Sequence, residues 1–220
     1  MSKVIGSILA LLLSTAVCAQ DESQYLFNGE HSIRLAAGAE AGDLHTVHGS
    51  IRIGERSKVG DVKTVDGEVV LAKGARASSV RSLDGAVQLE EDAKLVHGVS
   101  TAGGSIVLDD HADVAGRVST ADGEIRLKNA HVGGGILTRR GNINVGSGSR
   151  VENGIRVKRF FCLCVNAGLF SNPRVVIGPG AVVQGPLIFE RKVTLYVSDT
   201  ATIGDVVGAT SVRFSGLTPE

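Results

Sequence analysis

The stretch VSTADGEIRL, Val118 to Leu127, has two close copies upstream: VRSLDGAVQL from Val80 to Leu89 and VKTVDGEVVL from Val62 to Leu71. The apolar letters hold their places while the charged letters change. Six glycines, Gly49, Gly67, Gly85, Gly104, Gly123 and Gly141, mark the repeat every 18 or 19 residues. Two residues after each glycine stands Ile51, Val69, Val87, Ile106, Ile125 or Ile143, and four residues after it Ile53, Leu71, Leu89, Leu108, Leu127 or Val145. The residue between them is indifferent, as Arg52, Gln88 and Arg126 show. That period of two is the mark of a half-buried strand.

A second apolar strand follows, with small Ser57, Ala75, Ala93, Ala112 and Ser149, then Val59, Ala77, Leu95, Val114 and Val151. One coil slips by a residue, with Ala130 and Val132 as its equivalents. A third strand carries Val62, Val80, Val99, Val118 and Ile136. Three short strands in so few residues leave no room for a helix. Each repeat reads as one triangular coil of an all-β solenoid. The expected form is a right-handed parallel β-helix with 18–20 residues per coil. A left-handed hexapeptide β-helix is the alternative, because Ile53, Val59, Val65, Leu71, Ala77, Leu83, Leu89 and Leu95 fall at sixes. That fold wants small residues two places before each, and Lys63 and Arg81 are not small.

Three residues before each glycine stands a hydroxyl: Thr46, Thr64, Ser82, Thr101, Thr120 and Thr138. Stacked one strand spacing apart, about 4.8 Å, such a column is expected to bond along itself and so escape the cost of buried, unpaired hydroxyls. Asp66–Gly67, Asp84–Gly85 and Asp122–Gly123 read as tight turns, because glycine takes positive φ freely and Asp bonds the local backbone.

HSIRL at His31 to Leu35 matches GSIRI at Gly49 to Ile53, with His31 in the glycine place. Downstream, FFCLCVNAGLFSNPR interrupts the rhythm. Ile177, Ala181 and Val183 then map onto Val197, Ala201 and Ile203. About nine coils follow from this count, a rod on the order of 40 Å long at one strand spacing per coil. The expected organisation is a leader at 1–19, an N-terminal cap at 20–30, regular coils at 31–157, an insertion at 158–174, and further coils with a cap at 175–220.

The phrase VxTxDGxVxL, repeated across residues 31–157, resembles the β-strand repeat of bacterial adhesin families, which are secreted or envelope proteins. The later IGPGAVVQGPLIF and ATIGDVVG are similar to the coils of bactofilins, which polymerise end to end. The resemblance implies a right-handed triangular β-helix with a structural or adhesive role. Bactofilins are cytoplasmic, and the leader departs from that pattern.

Lys3, the uncharged apolar run Val4–Val17 and the small residues before Gln20 have the layout of a secretory signal peptide. A lipid-modified Cys18 is the alternative. No segment after it is long enough to cross a membrane as a helix. The chain holds 23 Lys and Arg against 23 Asp and Glu, and loss of Lys3 would leave it one charge negative. Such a balance gives no global attraction to nucleic acid, and the basic residues read as spread over different faces. No aromatic residue falls between Asn28 and Arg159, which points to a thin aliphatic core.

Candidate chemistry is sparse. Of the six histidines, His111 and His131 fall near one column with Asp92, close to Asp109 and Asp110, the best arrangement for a zinc-like metal. The Asp66, Asp84 and Asp122 column has the oxygens for calcium, but Gly103 interrupts it and His48 and Arg140 end it. No metal and no cofactor are assigned. Cys162 and Cys164 share a strand face, leaving open a strained, redox-active bridge, a bridge between subunits, or two buried thiols. No phosphate loop and no serine elbow are present. The expectation is a non-enzymatic structural or adhesive element of a bacterial envelope, exported to the periplasm or outer surface. Its partner would be itself, an envelope protein or a glycan. The alternative is a glycan-active or acyl-transferring enzyme, with His97 or His131 as its base.

Overall fold

In the computed structural model the described residues are 26–28, 31–159 and 172–219. The leader, Cys18, Cys162, Cys164 and most of the N-terminal cap lie outside them. Every regular element among the described residues is a β-strand, and all named pairings are parallel. The strands form three sheets of ten, ten and seven strands, the faces of a solenoid of about nine turns. Isolated bridges Glu40–Lys58 and Lys58–Arg76 carry the third face two coils further toward the N-terminus.

One coil shows how the sequence produces this. Val118–Ser119 lies in the first face, Ile125–Leu127 in the second and His131–Val132 in the third. On the second face Ile106 pairs with Ile125 and Ile125 with Ile143, so like stacks on like. Alternation sends Ile125 and Leu127 inward and Arg126 outward. The inward columns run almost the length of the rod as one aliphatic core. Phe189 is the one ring among the described residues of that core, which accounts for its thinness. The strict series of sixes fails, because Val65 and Leu83 are 36% and 56% exposed.

The three corners are built differently. Between the second and third faces the corner is a hydrogen-bonded turn, with Ala93 N–H donating to Glu90 O at 3.0 Å and Ala112 N–H to Asp109 O at 3.0 Å. Its third residue has positive φ, as at Gly74, Asp92 and His111. This, rather than the Asp-Gly corner, is where the chain needs left-handed backbone.

At the Asp-Gly corner, between the first and second faces, Gly67 alone of the six column glycines has positive φ. The column is glycine for another reason. A methyl on Gly85, Gly104, Gly123 or Gly141 would lie well inside contact of the carbonyl oxygen one coil below. His31 stands in the same column, and among the described residues no coil of that column precedes it.

The hydroxyls stack at this corner and are buried, but they are satisfied mainly by the glycine backbone. Thr101 Oγ1 donates to Thr120 Oγ1 at 2.9 Å, a hydroxyl-to-hydroxyl bond within the column. Thr120 and Thr138 accept from the Gly123 and Gly141 N–H groups at 3.0 Å. Thr64 donates to Gly49 O at 3.3 Å, and Ser82 Oγ is buried without a partner. Both columns end at the insertion. Register places Val157 and Phe189 after Thr138, and Pro173 and Val193 after Gly141. Beyond this corner Val175 pairs in register with Ile143.

Candidate functional site

Several cations of the rod stand against carboxylates. Lys58 meets Glu40 at 2.7 Å, Lys73 meets Glu91 at 2.8 Å, and Lys128 meets Asp109 at 2.8 Å. Burial pushes the Asp109 carboxyl up, but Lys128 and the Gln88 amide, at 3.0 Å, outweigh it and hold the group below its ordinary value. Asp61 is lowered chiefly by the Ser79 hydroxyl at 2.8 Å, against burial and with help from Ser78 and Lys63. A carboxyl lowered on folding stabilises the fold above its ordinary value, and that contribution is lost as pH falls through the lowered one. Stability to urea is therefore expected to drop below about pH 4. Asp109→Asn should shrink the difference between pH 5 and pH 3, and an unchanged difference would remove Asp109 as a cause.

The metal-like trio is not brought together. Asp92 and His111 sit in the turn column, with His111 N–H donating to Asn129 O at 3.0 Å. His131 lies outward on the third face, paired in register with Asp113 and Arg150. Its Nδ1 is 2.7 Å from Asp113 Oδ1 and its Nε2 is 3.5 Å from Glu152 Oε1. A carboxylate thus stands beside each ring nitrogen. His97 is an exposed corner residue. The Asp66 and Asp122 carboxylates face His48 and Arg140. Among the described residues no three His, Cys, Asp or Glu side chains converge as a metal requires.

What the structure does assemble is a groove on the first face, with a volume of about 510 Å³. Backbone bonds place Arg117, Gly135, Gly154 and Pro186 in one column, coil upon coil. The column has side chains at its ends and none in its middle, and that gap is the groove. Gly135 and Gly154 have φ of 76° and 72°, and a methyl on Gly154 would run into Pro186 O. The outward positions Leu137, Arg156 and Ile188, with Lys158, form the other wall.

Arg117, Arg156 and Lys158 are the only charged residues lining the groove, and none has a carboxylate within 4.0 Å among the described residues. The corner beside it carries Arg139, Arg159, Arg191 and Lys192. Arg159 Nε donates to Glu190 O and Arg191 to Arg139 O, both at 3.3 Å. Basic residues stand on all three faces, as Lys63, Arg126 and Arg150 show, and the groove with its corner forms a local group among them. Between Gly133 and Val193 the chain holds nine basic residues and two acidic ones, though Arg150 lies on the third face and Arg174 on the second. A regional charge count would have found this, where the whole-chain balance hid it. A second hollow, of about 450 Å³ on the second face, holds both Glu124 and Arg174 and so lacks this bias.

At the C-terminal end, Ser211 and Arg213 take the inward register that Leu195 and Val197 fill one coil earlier. Arg213 donates across the end to Ser198 O at 3.2 Å. No helix among the described residues is long and apolar enough to cross a membrane. The chain matches no family model, no curated protein and no solved structure.

Proposed function

We propose that this protein is a structural or adhesive rod of a bacterial envelope, exported to the periplasm or the outer surface, which binds its partner along its sides. The supporting observation is the placement of polar chemistry. The interior is filled with aliphatic side chains, and the described charged groups stand on the faces and corners of a stiff stack. Such an object offers surface recognition at fixed spacing. The envelope setting rests on the leader-like segment and on the resemblance of the repeat to secreted adhesin repeats.

The C-terminal coil favours lateral binding over end-to-end growth. An open solenoid end is a row of unpaired strand edges over an exposed core. Here a serine and an arginine occupy the places that would receive the next coil's aliphatic residues. Negative-stain electron microscopy of the chain from Gln20 onward is expected to show separate rods about 40 Å long. Filaments from the parent protein would overturn this reading. The double variant Ser211→Ile, Arg213→Val removes the polar end and is expected to raise the sedimenting mass at the same concentration.

A further inference from the structure

We infer that the first-face groove is a binding site for an anionic polysaccharide. The inference rests on the reading of the protein as a laterally binding rod and names the chemistry of its partner. Three observations converge. The groove is built by omission, since Gly135 and Gly154 leave a gap between Arg117 and Pro186 over four successive coils. Three strand spacings make it on the order of 14 Å long, the reach of a short oligosaccharide.

Its charges are free and of one sign. Lys58, Lys73, Arg126 and Lys128 have carboxylate partners, whereas Arg117, Arg156 and Lys158, like Arg76 and Lys94 on the third face, have none within 4.0 Å among the described residues; the groove sets three such cations around one hollow. Of the nearby acidic residues, Glu152 pairs with His131 and Arg150, Glu190 accepts from the Arg159 backbone N–H, and Asp205 follows Pro186 in the column, at the end far from Arg117. Uncompensated cations lining a concave surface focus a positive potential into it.

The remaining wall decides among polyanions. Leu137, Ile188 and Pro186 offer small apolar patches that suit the C–H faces of sugar rings. No aromatic residue lines the groove. Proteins that hold single-stranded nucleic acid depend on stacking bases against such rings. A lipid surface is met by protruding charge, whereas these cations line a hollow.

The test uses the full mature chain and immobilised heparin as the polyanionic glycan probe, with neutral dextran and single-stranded DNA as comparators. The variant Arg117→Gln, Arg156→Gln, Lys158→Gln empties the groove of charge. The variant Lys58→Gln, Arg76→Gln, Lys94→Gln removes the same charge from the third face. The groove variant is expected to bind heparin at least roughly tenfold more weakly, with its log–log salt slope reduced by about two for three lost contacts. The third-face variant should stay within about twofold of the parent. Equal losses in both variants, no preference for heparin over dextran, or tighter binding to the DNA would each overturn the inference. Thermal melts and electron micrographs of each variant show separately whether the rod itself survives, so failure of the groove is not confused with failure of the rod.

Discussion

Gly123→Ala is expected to lower stability by about 3 kcal/mol or more, the upper end of what overpacking costs. The added methyl has nowhere to go. It would lie inside contact of the Gly104 carbonyl, and that carbonyl belongs to the coil directly below. Relief requires the two coils to part at the corner. Parting strains the bonds of Thr120 Oγ1 to Gly123 N–H and to Thr101. The middle of the stack cannot yield, because coils above and below hold the register. Gly49→Ala makes the same kind of clash against the His31 carbonyl, but His31 is in the first described coil of this column, with one described neighbouring coil rather than two. Its effect should be about half as large. For a chain of this size the central variant should lose on the order of 6–12 °C in Tm. A Tm within a degree or two of the parent would show that the corner is looser than the stacking implies.

Leu108→Ala is expected to cost about 3–5 kcal/mol, the upper part of the range for a buried leucine. Leu108 is fully buried and pairs in register with Leu89 on one side and Leu127 on the other. Backbone ladders fix those neighbours, so the cavity collapses poorly. Solenoid coils draw their stability from their immediate neighbours, and the damage should therefore stay local. Hydrogen exchange is expected to lose protection first between Val87 and Leu127, with the C-terminal coils less affected. Leu35→Ala, in the first coil and only partly buried, should cost less. Uniform loss of protection along the whole rod would mean that it unfolds as one unit and that the nearest-neighbour picture is wrong.

The architecture was legible because it repeats. A residue needed in one coil is needed in the next, so Ile51, Val69, Val87, Ile106, Ile125 and Ile143 announce a column, and the register pairs them as the spacing predicts. The slip to Ala130 and Val132 was visible for the same reason, as was the match of Ile177 with Val197. The hydroxyl and glycine columns were legible as columns, but not in their cause. Glycine's φ freedom suggested a turn, and only packed neighbours reveal that the missing Cβ makes room for a carbonyl. Likewise His131 looked like a companion of His111, until the shifted coil set it beside Asp113 and Glu152.

The groove could not be read this way, because it is a departure from the repeat. Arg117, Gly135, Gly154 and Pro186 are unlike residues in four coils, and an insertion separates the last two. Their adjacency depends on where each coil closes, and coil length changes from 18 residues to 32 across that insertion. Periodicity in a chain reports what every coil must bury, since burial imposes the same demand at each level. It is silent on what a few coils leave exposed. The sequence alone settled a stacked aliphatic interior, while which cations share a surface was decided by register, through the closing of each coil on the one before it.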